Sequence, residues 1–299
     1  MMSGLFEERW RSQVFGRLTV ASFLASFGLL MPLCAQIPVG VGGGYLDTFD
    51  TIPSIGNWST RGIGATSADY SGTNAEAALD AAVQNFPASS FNFAVSNSLA
   101  NPANSGTNAT WSSSGHYLQT RVGGGIGAVT LMATLTNRSG FAITALKVRY
   151  DFAIAVAPGQ EDIQGHRIYY NLSGNAGEWI PIGTVSSAGP QILALDFSPA
   201  RWSAGTAMYL LFVDDNAVVN PEGAYQIDNF IITDVTVPRL EISRSLTSNE
   251  LSIAWRGGGI LQETTNLSGT NIQWTAVPGN PNPYTFTPAG APRFFILRP

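Results

Sequence analysis

Carboxylates set among apolar strands are the residues with the most chemistry to account for. Residues 209–233, YLLFVDDNAVVNPEGAYQIDNFIIT, hold two apolar runs, 209–213 and 230–232, with Asp214, Asp215, Asn216 and Glu222 in the loop between them. Asp228 falls in the closing strand itself. An ionised group near a core must be paired, hydrogen-bonded or bound to a metal. The loop has suitable oxygens for calcium, but not at the ordered spacing of a calcium-binding loop, so its acids read as a solvated turn. For Asp228 two readings stay open: an ion ligand, or an acid satisfied by turn N–H groups and arginines.

Other chemistry is thin. His116 and His166 are the only histidines, so a histidine-based metal site or a Ser-His-Asp triad would have to use one of them. His166 shares the parity of Ile168 and Tyr170 and reads as a packing residue at a strand end, while His116 follows a polar loop with no nucleophile elbow anywhere in the chain. No spacing singles out a carboxylate pair for glycoside hydrolysis. The run from Gly123 to Ala128 superficially fits a dinucleotide fingerprint, but strand period follows it where a helix N-terminus would be required. Sugar binding needs aromatic faces on an open surface. Trp111 and Trp202, set among Asn, Ser, Ala and Gly, are the preferred ligand contacts, with Trp58 a third.

Composition bounds what must position these groups. Only 12% of the 299 residues are charged, and turn-forming Gly, Ser, Thr and Asn are abundant, which suits strands joined by tight turns rather than a helical bundle. The net charge of -5 and the scattering of arginines leave no basic stripe, so nucleic acid is excluded as a partner. At the N-terminus Arg9, Arg11 and Arg17 precede an apolar run over 18–33 that ends at Leu33-Cys34-Ala35. This is the pattern of an export signal over 1–35, the alternative being an uncleaved membrane anchor or a buried helix, and no second apolar span follows it. Cleavage after Ala35 removes the single cysteine, so the exported chain has neither disulfide nor thiol chemistry and no membrane span.

A flexible linker is expected over 36–44, then a large β domain over 45–237. Within it, 75–84 (AEAALDAAVQ) has helical composition with Asn74 as a cap, and 97–115 reads as a long surface excursion. Val129, Leu131, Ala133 and Leu135 alternate with threonines and Met132, the period of a half-buried strand. Leu146, Val148, Tyr150, Phe152, Ile154 and Val156 share one face of another. Regular strands without intervening helices predict an all-β, antiparallel two-sheet jelly-roll-like sandwich. Pro238 opens a second module over 238–299, with six short strands expected around a small sandwich or barrel-like core.

Two resemblances sharpen this. Phe49-Asp50 and Asn57-Trp58 near the start, with Tyr225-Gln226-Ile227-Asp228-Asn229-Phe230 at the end, resemble carbohydrate-binding jelly-roll modules of secreted bacterial enzymes. That resemblance implies a structural calcium held by Asp50 and Asp228, and glycan as ligand. Leu240-Glu241-Ile242, residues 251–255, Ile260-Leu261-Gln262, Thr265-Asn266-Leu267, 274–277 and 293–298 look like a small C-terminal β domain of many predicted secreted proteins of environmental bacteria. It implies extracellular or surface life without established catalysis. The expected function is non-catalytic binding of an extracellular polysaccharide or cell-envelope component; the alternatives are a structural or adhesive surface protein and a secreted carbohydrate-active hydrolase.

Overall fold

A computed structural model describes residues 36–123, 125–237, 239–256, 259–268 and 271–298. The expected export signal over 1–35 lies outside the described residues. In chain order the first part contains β1 (Ile37–Val39), β2 (Leu46–Asp47), β3 (Trp58–Ile63), α1 (Ala75–Gln84), β4 (Phe93–Ala94), β5 (Ser96–Ser98), β6 (Thr110–Ser112) and β7 (Tyr117–Thr120). The long strands follow: β8 (Ala128–Asn137), β9 (Ala145–Val156), β10 (His166–Asn171), β11 (Ile180–Val185), β12 (Gly189–Asp196), β13 (Ala207–Asp215) and β14 (Ala224–Thr236).

These strands make a two-sheet sandwich, as their number and alternation predict. One sheet runs β11-β10-β13-β8-β3-β4 with β1 beside β8, and the other runs β12-β9-β14-β7-β6-β5 with β2 beside β14. Pairing is antiparallel except at β1–β8 and β5–β6. Consecutive long strands β8 and β9, then β12, β13 and β14, alternate between the sheets, so sequence neighbours face each other across the core rather than pairing. Between the sheets lie Trp58, Tyr150, Phe152, Phe212, Tyr225 and Phe230 with their aliphatic neighbours.

The first sheet is covered on its outer face as well. Ala75, Leu79 and Val83 form the buried stripe of α1 and pack with Phe91, Met132, Tyr169, Trp179 and Leu211 in a second core. The helix occupies the residues its composition predicts, but it is docked on the sheet rather than set on a loop. Asn74 occupies the cap position without a side-chain capping bond. Asp80 fastens the helix: its carboxylate takes both Arg167 Nε and Nη2 at 2.8 Å and the Tyr169 hydroxyl at 2.7 Å. This cover corrects the half-buried reading of β8, in which all ten residues are buried, because Met132 faces a packed layer instead of water.

Three further expectations change. Residues 37–39 are not a flexible linker: β1 pairs with Leu135, Thr136 and Asn137, and Ile37 and Val39 enter the core. The 97–115 segment is not simply surface, since it carries β6 and buries Ala103, Ala109 and Trp111. On β9 the inward face ends at Phe152, with Ile154 exposed.

The C-terminal part has the six expected strands: β15 (Arg239–Arg244), β16 (Leu251–Arg256), β17 (Ile260–Thr264), β18 (Thr275–Ala276), β19 (Tyr284–Phe286) and β20 (Phe294–Arg298). They form two three-stranded sheets, β15-β16-β19 and β18-β17-β20, around Ile253, Trp255, Leu261 and Val277. Arg293 lies against the faces of Tyr284, Phe286 and Phe295 and pairs with Glu263, a cation–π cluster that completes this small core. Among the described residues no helix is long and apolar enough to cross a membrane.

Candidate functional site

Antiparallel pairing of β2 with β14 sets Leu46 and Asp47 opposite Ile231 and Phe230. The chain then turns at Phe49, whose φ is +50°. That turn is locked from both sides, because the Phe49 N–H donates to Asp47 Oδ1 at 3.0 Å and the Phe49 carbonyl accepts the Trp111 indole N–H at 2.7 Å. Its ring goes into the core against Trp58, and Asp50 is left on the surface.

Asp228 is directly opposite Asp151 on β9, and a bulge between Asp228 and Ile231 puts Asn229 at φ +48°. Like charges facing each other across a strand pair are destabilising. Here the Asn229 amide answers them by donating to Asp151 Oδ2 at 2.9 Å and leaning on Asp228 Oδ2 at 3.4 Å, while the Asn229 backbone N–H donates to Asp228 Oδ1 at 2.7 Å. His116, at φ +57° in the turn before β7, brings Nδ1 to 3.6 Å from Asp50 Oδ1. Partial burial, and then the charges of Asp151 and Asp50, push the Asp228 carboxyl above its usual range, against the pull of the Asn229 N–H and His116. The sequence thus brings Asp50 and Asp228 into one patch with His116, Asp151 and Asn229. Three of the four non-glycine residues with positive φ among the described residues, Phe49, His116 and Asn229, build it.

Asp50 and Asp228, the pair expected to hold a structural calcium, each meet hydrogen-bond donors within this patch. The Asp50 side chain is 76% exposed, and its oxygens already meet the Thr48 hydroxyl at 2.7 Å and His116. Both Asp228 oxygens are taken by Asn229.

The three tryptophans expected to carry ligand are core residues instead. Trp58 and Trp202 are fully buried and Trp111 nearly so. Trp58 packs edge-on against Phe49 and Phe230, Trp202 stands against Phe197 with its N–H on the Thr206 carbonyl, and Trp111 holds Phe49. None offers a ring face to a sugar, because each sits where the two sheets need volume.

The larger correction concerns the acids after residue 213. Asp214 and Asp215 are the last two residues of β13, paired with Val129 and Ala128, and are 0% and 1% exposed. Strand pairing carries them inside, so they are not a solvated turn. Glu161, from the loop between β9 and β10, joins them at 7% exposure. One carboxylate oxygen from each of the three lies within 4.8 Å of the others. The Glu161 loop is pinned to the 217–223 loop by Gly159 N–H to the Pro221 carbonyl at 2.7 Å and Gln160 N–H to the Val219 carbonyl at 3.0 Å. Glu161 itself accepts the Gly223 N–H at 2.9 Å and the Tyr225 hydroxyl. A Cβ at Gly223 would stand 2.7 Å from Glu161 Oε1 and 2.6 Å from the Tyr225 ring, so glycine is what lets the acid approach.

Burial raises all three acids, Glu161 to about 7, Asp215 to about 8, and Asp214 well above its ordinary value; the charge of Glu222 adds at Glu161, and that of Glu161 adds at both aspartates. Neither Asp214 oxygen has a hydrogen-bond partner among the described residues, and Asp215 Oδ1 has none either. A neighbouring hydroxyl, Thr120, favours the Asp214 anion and also meets His166 Nε2 at 2.8 Å. His166 is wholly buried among Phe152, Phe212 and Tyr225, and burial lowers its pKa to about 3, so it is neutral. No spacing ties Glu161, which is followed by Asp162 in a loop, to the strand-end aspartates. The adjacent pair Asp214-Asp215 at the end of an apolar strand was the available signal.

No family model matches the chain, and no curated protein matches it. Solved structures similar to part of it include the enzymatically active domain of tailspike protein 4 of bacteriophage CBA120, at 13% identity and TM-score 0.27, covering 40% of this chain and 15% of that one. The glycoside hydrolase domain of Endo-D from Streptococcus pneumoniae R6 aligns at 15% identity and TM-score 0.26, covering 62% and 29%. A β-1,2-glucanase from Parabacteroides distasonis aligns at 12% and 0.26, covering 60% and 29%. The chain spans less than a third of the length of each of these structures, and likeness at these scores carries no argument about activity.

Proposed function

We propose that the protein is an exported, non-catalytic β-sandwich that binds an extracellular glycan at the surface patch formed by Asp50, His116, Asp151, Asp228 and Asn229. The observation that carries this reading is the convergence of these five polar side chains on one outer patch, with Phe49, His116 and Asn229 held in left-handed backbone to build it. Such backbone costs on the order of 1–3 kcal/mol per residue and persists where the surroundings over-determine it, as at ligand clamps. Carboxylates, an amide and an imidazole supply acceptors and donors for the vicinal hydroxyls of a sugar. Recognition is therefore polar, and it replaces the stacking expected of the buried tryptophans. Export rests on the N-terminal pattern of arginines followed by an apolar run.

Retention on a panel of immobilised polysaccharides tests the reading, comparing the wild-type chain with Asp228→Asn and His116→Ala. Saturable retention by the wild type, reduced about tenfold or more in both variants at unchanged Tm, is the expected result. Absence of retention on every polysaccharide, with the protein staying in the envelope fraction, contradicts glycan binding and favours the structural role. Release of reducing ends from a retained polysaccharide contradicts the non-catalytic reading.

A further inference from the structure

The buried acids at the end of β13 pose a problem of charge. Glu161, Asp214 and Asp215 converge inside the protein, and among the described residues none of them pairs with a lysine, arginine or histidine. Ionised carboxylates removed from water in this way need a positive partner or a proton. Asp214 is the independent sign of which. It is completely buried, and neither oxygen has a hydrogen-bond partner at bonding distance among the described residues, the Thr120 hydroxyl being the one neighbouring group that favours its anion. A protonated acid would still need an acceptor for its hydrogen and a donor for its other oxygen, whereas a cation answers both at once.

We infer that Glu161, Asp214 and Asp215 form a binding site for one hard divalent cation of calcium's size, which ties the 157–165 loop to the ends of β13 and β14. Oxygens bound to one calcium at about 2.3–2.6 Å are separated by at most about 5 Å, and these three acids offer oxygens within 4.8 Å of one another. The donor set is all oxygen. His166, the nearest imidazole in the network, turns Nε2 to Thr120 rather than to the acids, and no cysteine is among the described residues, which argues against zinc. Magnesium holds its water tightly and demands near-ideal octahedral geometry, a poor match to three carboxylates closed off from solvent. The cation would also explain why the loop is fastened so closely: Glu161 is held by Gly223 and Tyr225 in the one position from which it reaches the strand-end aspartates.

This site is separate from the proposed glycan patch, and the test keeps the two apart. The full chain, stripped with chelator and dialysed, is titrated with calcium, magnesium and zinc chlorides by calorimetry, and stoichiometry is read by native mass spectrometry. One Ca²⁺ per chain is expected, bound at least about tenfold more tightly than Mg²⁺, with affinity weakened about a hundredfold or more by Asp214→Asn and changed less than about twofold by Asp228→Asn. Absence of stoichiometric binding to the wild type overturns the inference, whatever the variants do. So does binding that survives Asp214→Asn in a folded protein or disappears in Asp228→Asn, which would put the ion on the surface patch. Tighter binding of Zn²⁺ than of Ca²⁺ would overturn the assignment of the metal.

Discussion

Replacing Asp215 with asparagine should stabilise the protein in chelator and destabilise it in calcium. The side chain is 1% exposed, and its carboxylate lies within 4.8 Å of those of Glu161 and Asp214. With an effective dielectric constant of about 20, each ionised pair at that separation repels by about 3.5 kcal/mol. The metal-free protein relieves part of this by holding protons, so the gain at pH 8 is smaller, about 1–3 kcal/mol, or roughly 3–10 °C in Tm for a domain of this size. Asparagine is nearly isosteric and its oxygen can still accept the Ile163 N–H that Asp215 uses, so little packing is lost. In saturating calcium the sign reverses, because one charged ligand is gone and the binding free energy that stabilises the native state falls with it. Differential scanning fluorimetry of wild type and variant, each with chelator and with calcium, reads all four values. A variant that loses the same Tm in both solutions would refute the reasoning, since it would make Asp215 an ordinary hydrogen-bonded structural acid.

The pH profile of the chelated wild type is a second check. Glu161 and Asp215 have folded pKa values raised by burial, with the charge of Glu222 adding at the first and that of Glu161 at the second, to about 7 and about 8, so the stability they allow is present below about pH 4 and lost as pH rises through 7 to 8. Glu161 alone, at about 7 against an ordinary 4.5, is worth about 3 kcal/mol. Tm in chelator should therefore fall between pH 5 and pH 9, with Asp214, Glu222 and Asp162 adding to the repulsion, whereas calcium should flatten the fall; a chelated profile that rises over this range contradicts the assignment. Asp80→Ala should cost about 2–3 kcal/mol by leaving the largely buried Arg167 with only the Glu76 ion pair at 3.1 Å, and a change below about 0.5 kcal/mol in urea denaturation would mean that the helix is held by its apolar stripe alone. Gly223→Ala should lower calcium affinity about tenfold or more by pushing Glu161 aside, and unchanged affinity would remove Glu161 from the site.

What could be read from the sequence follows the kind of signal involved. The helix was legible in the Ala-rich composition of 75–84, and the six C-terminal strands because Ser, Asn, Gly and Pro punctuate short apolar runs. The nearness of Asp50 and Asp228 came from resemblance, and only the β2–β14 pairing explains it. Burial of aromatics was illegible: Trp111 and Trp202 lie among small polar residues in sequence, yet pack between sheets made by other segments. The same holds for Asp214 and Asp215. Polarity suggested that the strand stops at Val213, but pairing with Val129 and Ala128 carries it two residues further, into the interior. Glu161 arrives from a loop whose approach depends on Gly223, a contact across 62 residues that no local pattern announces.

The most direct measurement of the central claim is a crystal structure from calcium-containing solution, with anomalous data collected at long wavelength. The account predicts one anomalous peak about 2.3–2.6 Å from carboxylate oxygens of Glu161, Asp214 and Asp215, completed by further oxygen ligands, and no peak at Asp50 and Asp228. A pair of these carboxyls in direct hydrogen-bond contact, with no anomalous peak between the three, would show that protons rather than a metal hold the acids together, and would contradict it.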